Sequence, residues 1–408
     1  MLNFGKKFGI FCFLDNHGYT SDTAYECLAG AGVIDSVTAG ETPGLYKLDQ
    51  FQRKNREWIF GHLAYDVKNE IENFESSNPD GIQFPNIHFF VPEIVLILKK
   101  KELQIGVPPG YDTRKIYDEI ISCGQPELSC YNAVSLKSTF PHDDYIDAVK
   151  KLQQHILRGD CYEINFCQEF YASNAIIDPH GVYQKLSALS PNPFAAFYAY
   201  GDKYLICASP ERFLKKTEMA IVSQPMKGTA RRISGDIKAD EQQREDLYSN
   251  EKERSENIMI VDLVRNDLAK ICEEGSVHVK DFLRLYTFPQ VHQMISTIEG
   301  NLKKNIALSE IFSATFPMGS MTGAPKKRVM ELIEKYEKTK RGLFSGTVGY
   351  ITPDGDFDFN VVIRSVLYNK ANQYVSIQAG SAITFKSNPE NEYEECLLKV
   401  AALKKALE

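Results

Sequence analysis

Two pairs of glutamates, a lysine beside a glycine and a glutamate after a proline are the residues of this chain best suited to chemistry. Glu253 and Glu256 fall in the stretch Lys252-Glu253-Arg254-Ser255-Glu256-Asn257, and Glu392 and Glu395 fall near the C-terminus. Residues three apart on a helix lie about 60° apart around the axis, so each pair projects two carboxylates to one side. Carboxylates crowded together without a cation repel and take up protons. Shared between two helices, they would form a hard-oxygen site suited to Mg²⁺. From spacing alone, solvated surface glutamates remain the favoured account of both pairs. Lys227, in Pro225-Met226-Lys227-Gly228-Thr229, could act as a nucleophile only if its site depressed its pKa from ~10.4, by desolvation or nearby positive charge. Glu211, in Ser209-Pro210-Glu211-Arg212-Phe213, could be a general acid, but from the residues alone it reads as half of a surface ion pair with a neighbouring basic residue.

Other segments suit anions. Thr322-Gly323-Ala324-Pro325-Lys326 precedes an amphipathic run through Val329, Met330, Ile333 and Tyr336. Threonine can cap, and proline fits a first helical turn, whose free N–H groups face an anion; locally, an ordinary capped helix is the favoured account. Ala379-Gly380-Ser381-Ala382 would let a carboxylate approach the backbone, or simply make a tight strand exit. Arg364 lies between Val361–Ile363 and Val366-Leu367, and an arginine inside a strand pattern needs a partner such as a carboxylate.

The elements that must position these groups are legible in part. Phe8 to Leu14 reads as a buried strand, because no small-residue cleavage site follows it. Phe89–Val91 and Ile94–Leu98 are β-rich, and Lys99–Glu102 can turn the chain back into Leu103–Ile105. Tyr145, Ala148, Val149, Leu152 and Ile156 share one helical face between Pro141 and Gly159. From Tyr162 to Phe170, apolar and polar residues alternate as in a strand with one polar face. Further strands are expected at 204–207, 219–223, 361–368 and 374–377, and helices around 245–272, 325–337 and 389–407. Without regular βαβ spacing, the class is α+β, a large, mainly antiparallel two-sheet core flanked by helices. The weakly periodic segment 106–138 divides an N-terminal β-rich subdomain, residues 1–135, from a catalytic domain, residues 136–408.

Composition narrows the function. A chain of 408 residues, 43% hydrophobic and 25% charged, can bury a large core. A net charge of −7 argues against nucleic-acid binding, which needs a basic footprint. No stretch approaches the ~18 apolar residues of a membrane span. Nine cysteines without a C-x-x-C pair or metal spacing indicate reduced thiols in a cytoplasmic protein.

Taken together, the segments from about Pro141 onward resemble the chorismate-binding enzyme family, which includes the anthranilate, aminodeoxychorismate, isochorismate and salicylate synthases. Eight motifs occur in order: Gly159–Tyr162, Ser209–Phe213, the Lys227 segment, Arg254–Asp267, Thr322–Lys326, Gly346–Tyr350, Ile363-Arg364 and Glu392–Glu395. The resemblance implies that Glu256 and Glu395 hold Mg²⁺, with Glu253 and Glu392 acting directly or through water, and that Lys399 also faces the ring carboxylate of chorismate. It implies that Tyr350, Arg364 and the backbone of Gly380 hold the enolpyruvyl carboxylate, that Thr229 and Thr322 line the pocket, and that Glu211 protonates the departing 4-hydroxyl.

Lys227 points to the aminodeoxychorismate synthase branch, in which a lysine attacks ring carbon 2 and ammonia then attacks carbon 4; the anthranilate branch typically carries alanine there. Tyr65–Glu70 looks like the same branch. Isochorismate formation, or chorismate binding without catalysis, are the further alternatives. Glu163 stands where glutamine is common in aminating members and lysine in isochorismate-forming ones, and Gln293 stands where histidine is frequent. With no glutaminase nucleophile motif in the sequence, ammonia is expected from a separate glutamine amidotransferase subunit, and p-aminobenzoate release from another enzyme.

Overall fold

A computed structural model describes residues 1–19, 24–40, 43–124, 134–233, 235–288 and 291–408. Two antiparallel sheets dominate it. Among the described residues, the first has eleven strands and the second ten. The elements that position the candidate residues are β1 (Glu163–Ala172), β2 (Lys203–Ser209), β3 (Arg212–Thr217), β4 (Met226–Arg231), α1 (Glu251–Ile271), β5 (Val291–Asn301), α2 (Lys326–Tyr336), β6 (Ser365–Asn369), β7 (Tyr374–Ile383) and α3 (Pro389–Ala406). The first sheet runs from the short strand Gly323–Ala324 through β1, β7, β6 and β2 to the N-terminal strands. The second runs from β4 through β5 and β3 to the strands Thr347–Ile351, Ile59–Leu63, Ile87–Val91 and Asp35–Ala39. The α+β class and the two-sheet core expected from the sequence are what the chain adopts.

Strands from the first 135 residues enter both sheets: Ile10–Asp15 pairs with Phe194–Tyr200 in one, and Ile59–Leu63 with Thr347–Ile351 in the other. Part of the expected dividing segment, 125–133, lies outside the described residues. Apolar side chains from both sheets, such as Phe60, Tyr198, Leu205, Phe213 and Phe359, form one large core between them.

Three sequence expectations change. The helix expected around 245–272 is two helices, Ile237–Ser249 and α1, because Asn250 adopts an extended backbone and its side chain caps α1 by accepting from Glu253 N at 3.1 Å. The strand expected over 361–368 is interrupted. Phe357–Asn360 belongs to the second sheet and β6 to the first, and Arg364, at φ +51°, lies in the crossing between them. The polar face of β1 does not meet solvent. Glu163, Asn165, Cys167 and Glu169 are all buried.

Arg341 satisfies the backbone of that buried strand. Its guanidinium pairs with Glu337 at 2.6 and 3.0 Å and donates to the carbonyls of Asn165 and Met321 at 2.8 and 2.6 Å. Glu337 Oε1 in turn accepts from Cys167 N at 2.9 Å. One buried ion pair therefore fastens β1 to the turn before Thr322. Removing one partner of such a pair costs about 3–5 kcal/mol, because the other charge is left buried alone. Arg341→Met should lower stability on that scale in urea unfolding, and adding Glu337→Gln, which removes the stranded charge, should recover part of the loss.

Candidate active site

Lys227 owes its direction to an irregularity in β4. Opposite β5, Met226 pairs with Ile295 and Thr229 with Gln293, so the intervening residues form a bulge, with Gly228 at φ +89°. A Cβ on Gly228 would come within 3.3 Å of Glu253 Oε2, so glycine both makes the bulge and admits the helix. The Lys227 side chain, 12% exposed, points inward and donates to Glu163 Oε1 at 3.1 Å, with Glu256 Oε2 at 3.9 Å. Burial pulls the Lys227 pKa down, but Glu163, Glu256 and Glu395 outweigh it, and the net shift is upward. That is opposite to the depression a nucleophilic amine requires, and it arises because negative charge surrounds the ammonium.

Helices α1 and α3 bring the two glutamate pairs together. Asn257 fixes α1 on β5 by donating to Met294 O and accepting from Ser296 Oγ. Glu256 and Glu392 are buried, and Glu253 and Glu395 are partly so; solvated surface glutamates, the favoured account from spacing, are not what the fold makes of them. Lys252 spans the helices, 2.7 Å from Glu392 Oε1 and 3.7 Å from Glu256 Oε1. Glu395 pairs with Lys399 at 2.5 Å, and Lys399 also donates to Gly380 O at 2.8 Å. Arg364 donates to the carbonyl of Lys399 at 3.2 Å. Burial raises the pKa of Glu256 and of Glu253, whereas at Glu395 burial is outweighed by Lys399 and the pKa falls.

Glu211 lies in the crossing from β2 to β3, with its backbone carbonyl accepting from Val361 N in the other crossing. Burial pushes its carboxyl up to about 7, against the pull of Ser320, Lys227 and the Met226 backbone. A carboxyl raised in this way keeps its proton closer to neutrality, as a general acid needs to.

Not every expected residue joins this cluster. Tyr350 packs its ring against Tyr25, Trp58 and Phe60 and lines a cavity between the sheets with Asp15, Phe194 and Asp358. The reason is position: the strand Thr347–Ile351 pairs with Ile59–Leu63, on the other side of the second sheet's centre from β4. Thr322 is buried, but its hydroxyl is committed to Met318 O and Gly319 O. Thr229 is exposed beside the bulge, opposite Gln293, whose buried amide oxygen has no partner among the described residues. His292 binds Thr287 and Asp240, away from Lys227. Lys252 was not a sequence candidate, although its i,i+4 spacing to Glu256 was a usable signal.

The donors suit a hard divalent cation. The six carboxyl groups of Glu163, Glu211, Glu253, Glu256, Glu392 and Glu395 outnumber the four basic groups of Lys227, Lys252, Lys399 and Arg364, and burial raises the pKa of Glu211, Glu253 and Glu256. Among the described residues, one buried oxygen each of Glu163, Glu256 and Glu392 has no hydrogen-bond partner. Among the described residues, no three acidic, histidine or cysteine side chains yet close on one point, since lysines hold the carboxylates instead.

The Glu211 shift has a testable sign. With its folded pKa raised, the group contributes stability in full below its ordinary 4.5, and that contribution is lost as pH rises through about 7. Glu211→Gln should therefore lose less thermal stability than the parent between about pH 5 and about pH 8, read by melting curves across that range.

Residues 17–405 match the family described as chorismate binding enzyme. The chain is 40% identical over 371 residues to a chloroplastic aminodeoxychorismate synthase of Arabidopsis thaliana, covering 84% of this chain and 39% of that protein. It is 32% identical over 381 residues to anthranilate synthase component 1 of Aquifex aeolicus, covering 88% and 76%. The crystal structure of anthranilate synthase component I from Streptococcus pneumoniae superposes with a TM-score of 0.80 at 25% identity, over 97% of this chain and 92% of that one. Among the described residues, no helix is long and apolar enough to cross a membrane. On the extent of these matches, the chain belongs to the chorismate-binding enzyme family.

Proposed function

We propose that this protein is the synthase component that converts chorismate and ammonia to 4-amino-4-deoxychorismate, for p-aminobenzoate and folate synthesis. The observation that carries this reading is Lys227, turned by a bulge into the carboxylate cluster and hydrogen-bonded to Glu163.

Glu256 and Glu395 would hold Mg²⁺, with Glu253 and Glu392 beside them. Bound there, the metal would anchor the ring carboxylate and polarise the reacting ring. Lys399, fixed by Glu395 and Gly380 O, and Arg364 supply positive charge for the substrate's two carboxylates. Glu163 Oε1, 3.1 Å from Nζ, is the carboxylate placed to take the Lys227 proton. The freed amine attacks ring carbon 2, the double bonds shift, and the C4–O bond breaks as Glu211 protonates the departing hydroxyl, giving water. Ammonia then adds at C4 and the Lys227 amine leaves carbon 2. The enolpyruvyl group stays on the ring. Ammonia would come from a glutamine amidotransferase partner.

Anthranilate synthase is the second reading, favoured by the Aquifex and Streptococcus relatives. Incubation with chorismate, Mg²⁺ and an ammonium salt separates the two. Aminodeoxychorismate, with a chorismate-derived adduct on Lys227 trapped and located by mass spectrometry, is the expected result. Strong anthranilate fluorescence without an added lyase would sink the proposal. Lys227→Ala should lose about a hundredfold or more in turnover, the scale of deleting a group that acts chiefly in the transition state, with any residual rate coming from direct attack by ammonia.

A further inference from the structure

Lys252 contributes to no step above, yet its ammonium is the cation that joins the two glutamate-bearing helices. It lies 2.7 Å from Glu392 Oε1 and 3.7 Å from Glu256 Oε1, crossing from α1 to α3. Glu392 is 1% exposed and Glu256 6% exposed, while the lysine side chain is 34% exposed. The buried ends of the pair are thus fixed and the cation reaches them from the solvent side. Among the described residues, Glu392 Oε2 and Glu256 Oε1 have no hydrogen-bond partner, so the ammonium leaves coordination capacity unused on both carboxylates.

An ammonium meets carboxylate oxygens at about 2.7–2.9 Å, whereas Mg²⁺ binds them at about 2.0–2.1 Å. Two cations cannot share the gap between Glu256 and Glu392 at those distances without strong repulsion. We propose that Lys252 is a tethered counter-cation that occupies the divalent site when it is empty and is displaced toward solvent when the metal binds. This rests on the reading of Glu256 and Glu392 as part of a metal site.

The arrangement has two consequences. The empty site is held together, since without Lys252 the buried carboxylates of α1 and α3 would repel across the helix interface. Metal affinity is also reduced, because each binding event must break the Lys252–Glu392 pair. Exchange of one held cation for another keeps the helices in place while charge is added to the cluster.

Titration of Mg²⁺ alone into the full chain by calorimetry, without chorismate and at mildly alkaline pH, tests this. Lys252→Gln should bind Mg²⁺ about five- to tenfold more tightly than the parent chain, and should melt at lower temperature without metal. In the parent chain, acylation of Lys252 by an amine-directed reagent, read by peptide mass spectrometry, should increase when Mg²⁺ is added. Saturable binding by the parent chain with equal or weaker binding by Lys252→Gln, or Lys252 labelling that Mg²⁺ leaves unchanged or lowers, would overturn the counter-cation role and leave the metal site standing. No saturable binding by the parent chain would overturn the metal reading and this inference with it.

Discussion

Charge compensation inside the cluster around Lys227 is the constraint on which the site depends. A buried carboxylate is tolerated only when a cation or several hydrogen bonds answer it. Glu163 and Glu256 are answered by Lys227, Glu392 by Lys252, and Glu395 by Lys399. These pairs join β1 to β4, α1 to α3, and α3 through Gly380 to β7. Remove the cations and the strands and helices that define the site repel one another. The same pairs orient the side chains, so the forces that hold the site together also aim it.

Those side chains also sit where the chain changes sheets. Glu211 lies in the crossing from β2 to β3, and Arg364 in the return to β6, and the two crossings touch through Val361 N and Glu211 O. A residue in a regular strand must point to one face or the other. A crossing frees the side chain from that alternation while its ends stay anchored in two sheets. Arg364, in a left-handed conformation, and the bulge at Lys227 achieve the same release locally. The reactive groups are thus held by irregular backbone between rigid neighbours.

This explains what the sequence could and could not reveal. Periodicity located the helices at 142–157, 326–336 and 389–406 and the strand at 163–172, because these elements each bury a continuous apolar face. It did not reveal the capped break at Asn250, where a single side-chain hydrogen bond outweighs a helical pattern. It read the interrupted strand around Arg364 as continuous, since alternation is silent about which sheet a strand joins. The glutamate pairs were visible, and their burial was not. Glu256 is also paired with Lys227 and Glu392 with Lys252, each from a distant segment, and no local window contains those partners. Tyr350 sits in an ordered motif with Gly346 and Thr347, yet strand pairing places it among Tyr25, Trp58 and Phe60. A motif fixes order along the chain, and pairing decides distance.

The upward shift at Lys227 follows from the same geometry. A lysine that would have to lose its proton in the proposed reaction is surrounded by groups that keep it charged. The apparent contradiction resolves when the carboxylates are taken as shared. Glu256 answers both Lys227 and Lys252, so a cation that claimed Glu256 would weaken its hold on Lys227. Glu163, with one oxygen on Lys227 and the other buried without a partner among the described residues, would then be the nearest negative neighbour and the acceptor in hydrogen-bond reach. A lysine in an apolar pocket would be neutral at all times and open to side reactions. On the proposed function, a lysine held charged by carboxylates that have a second claimant would lose its proton more readily once that claimant is present, which would tie the reactivity of Lys227 to the loading of the site.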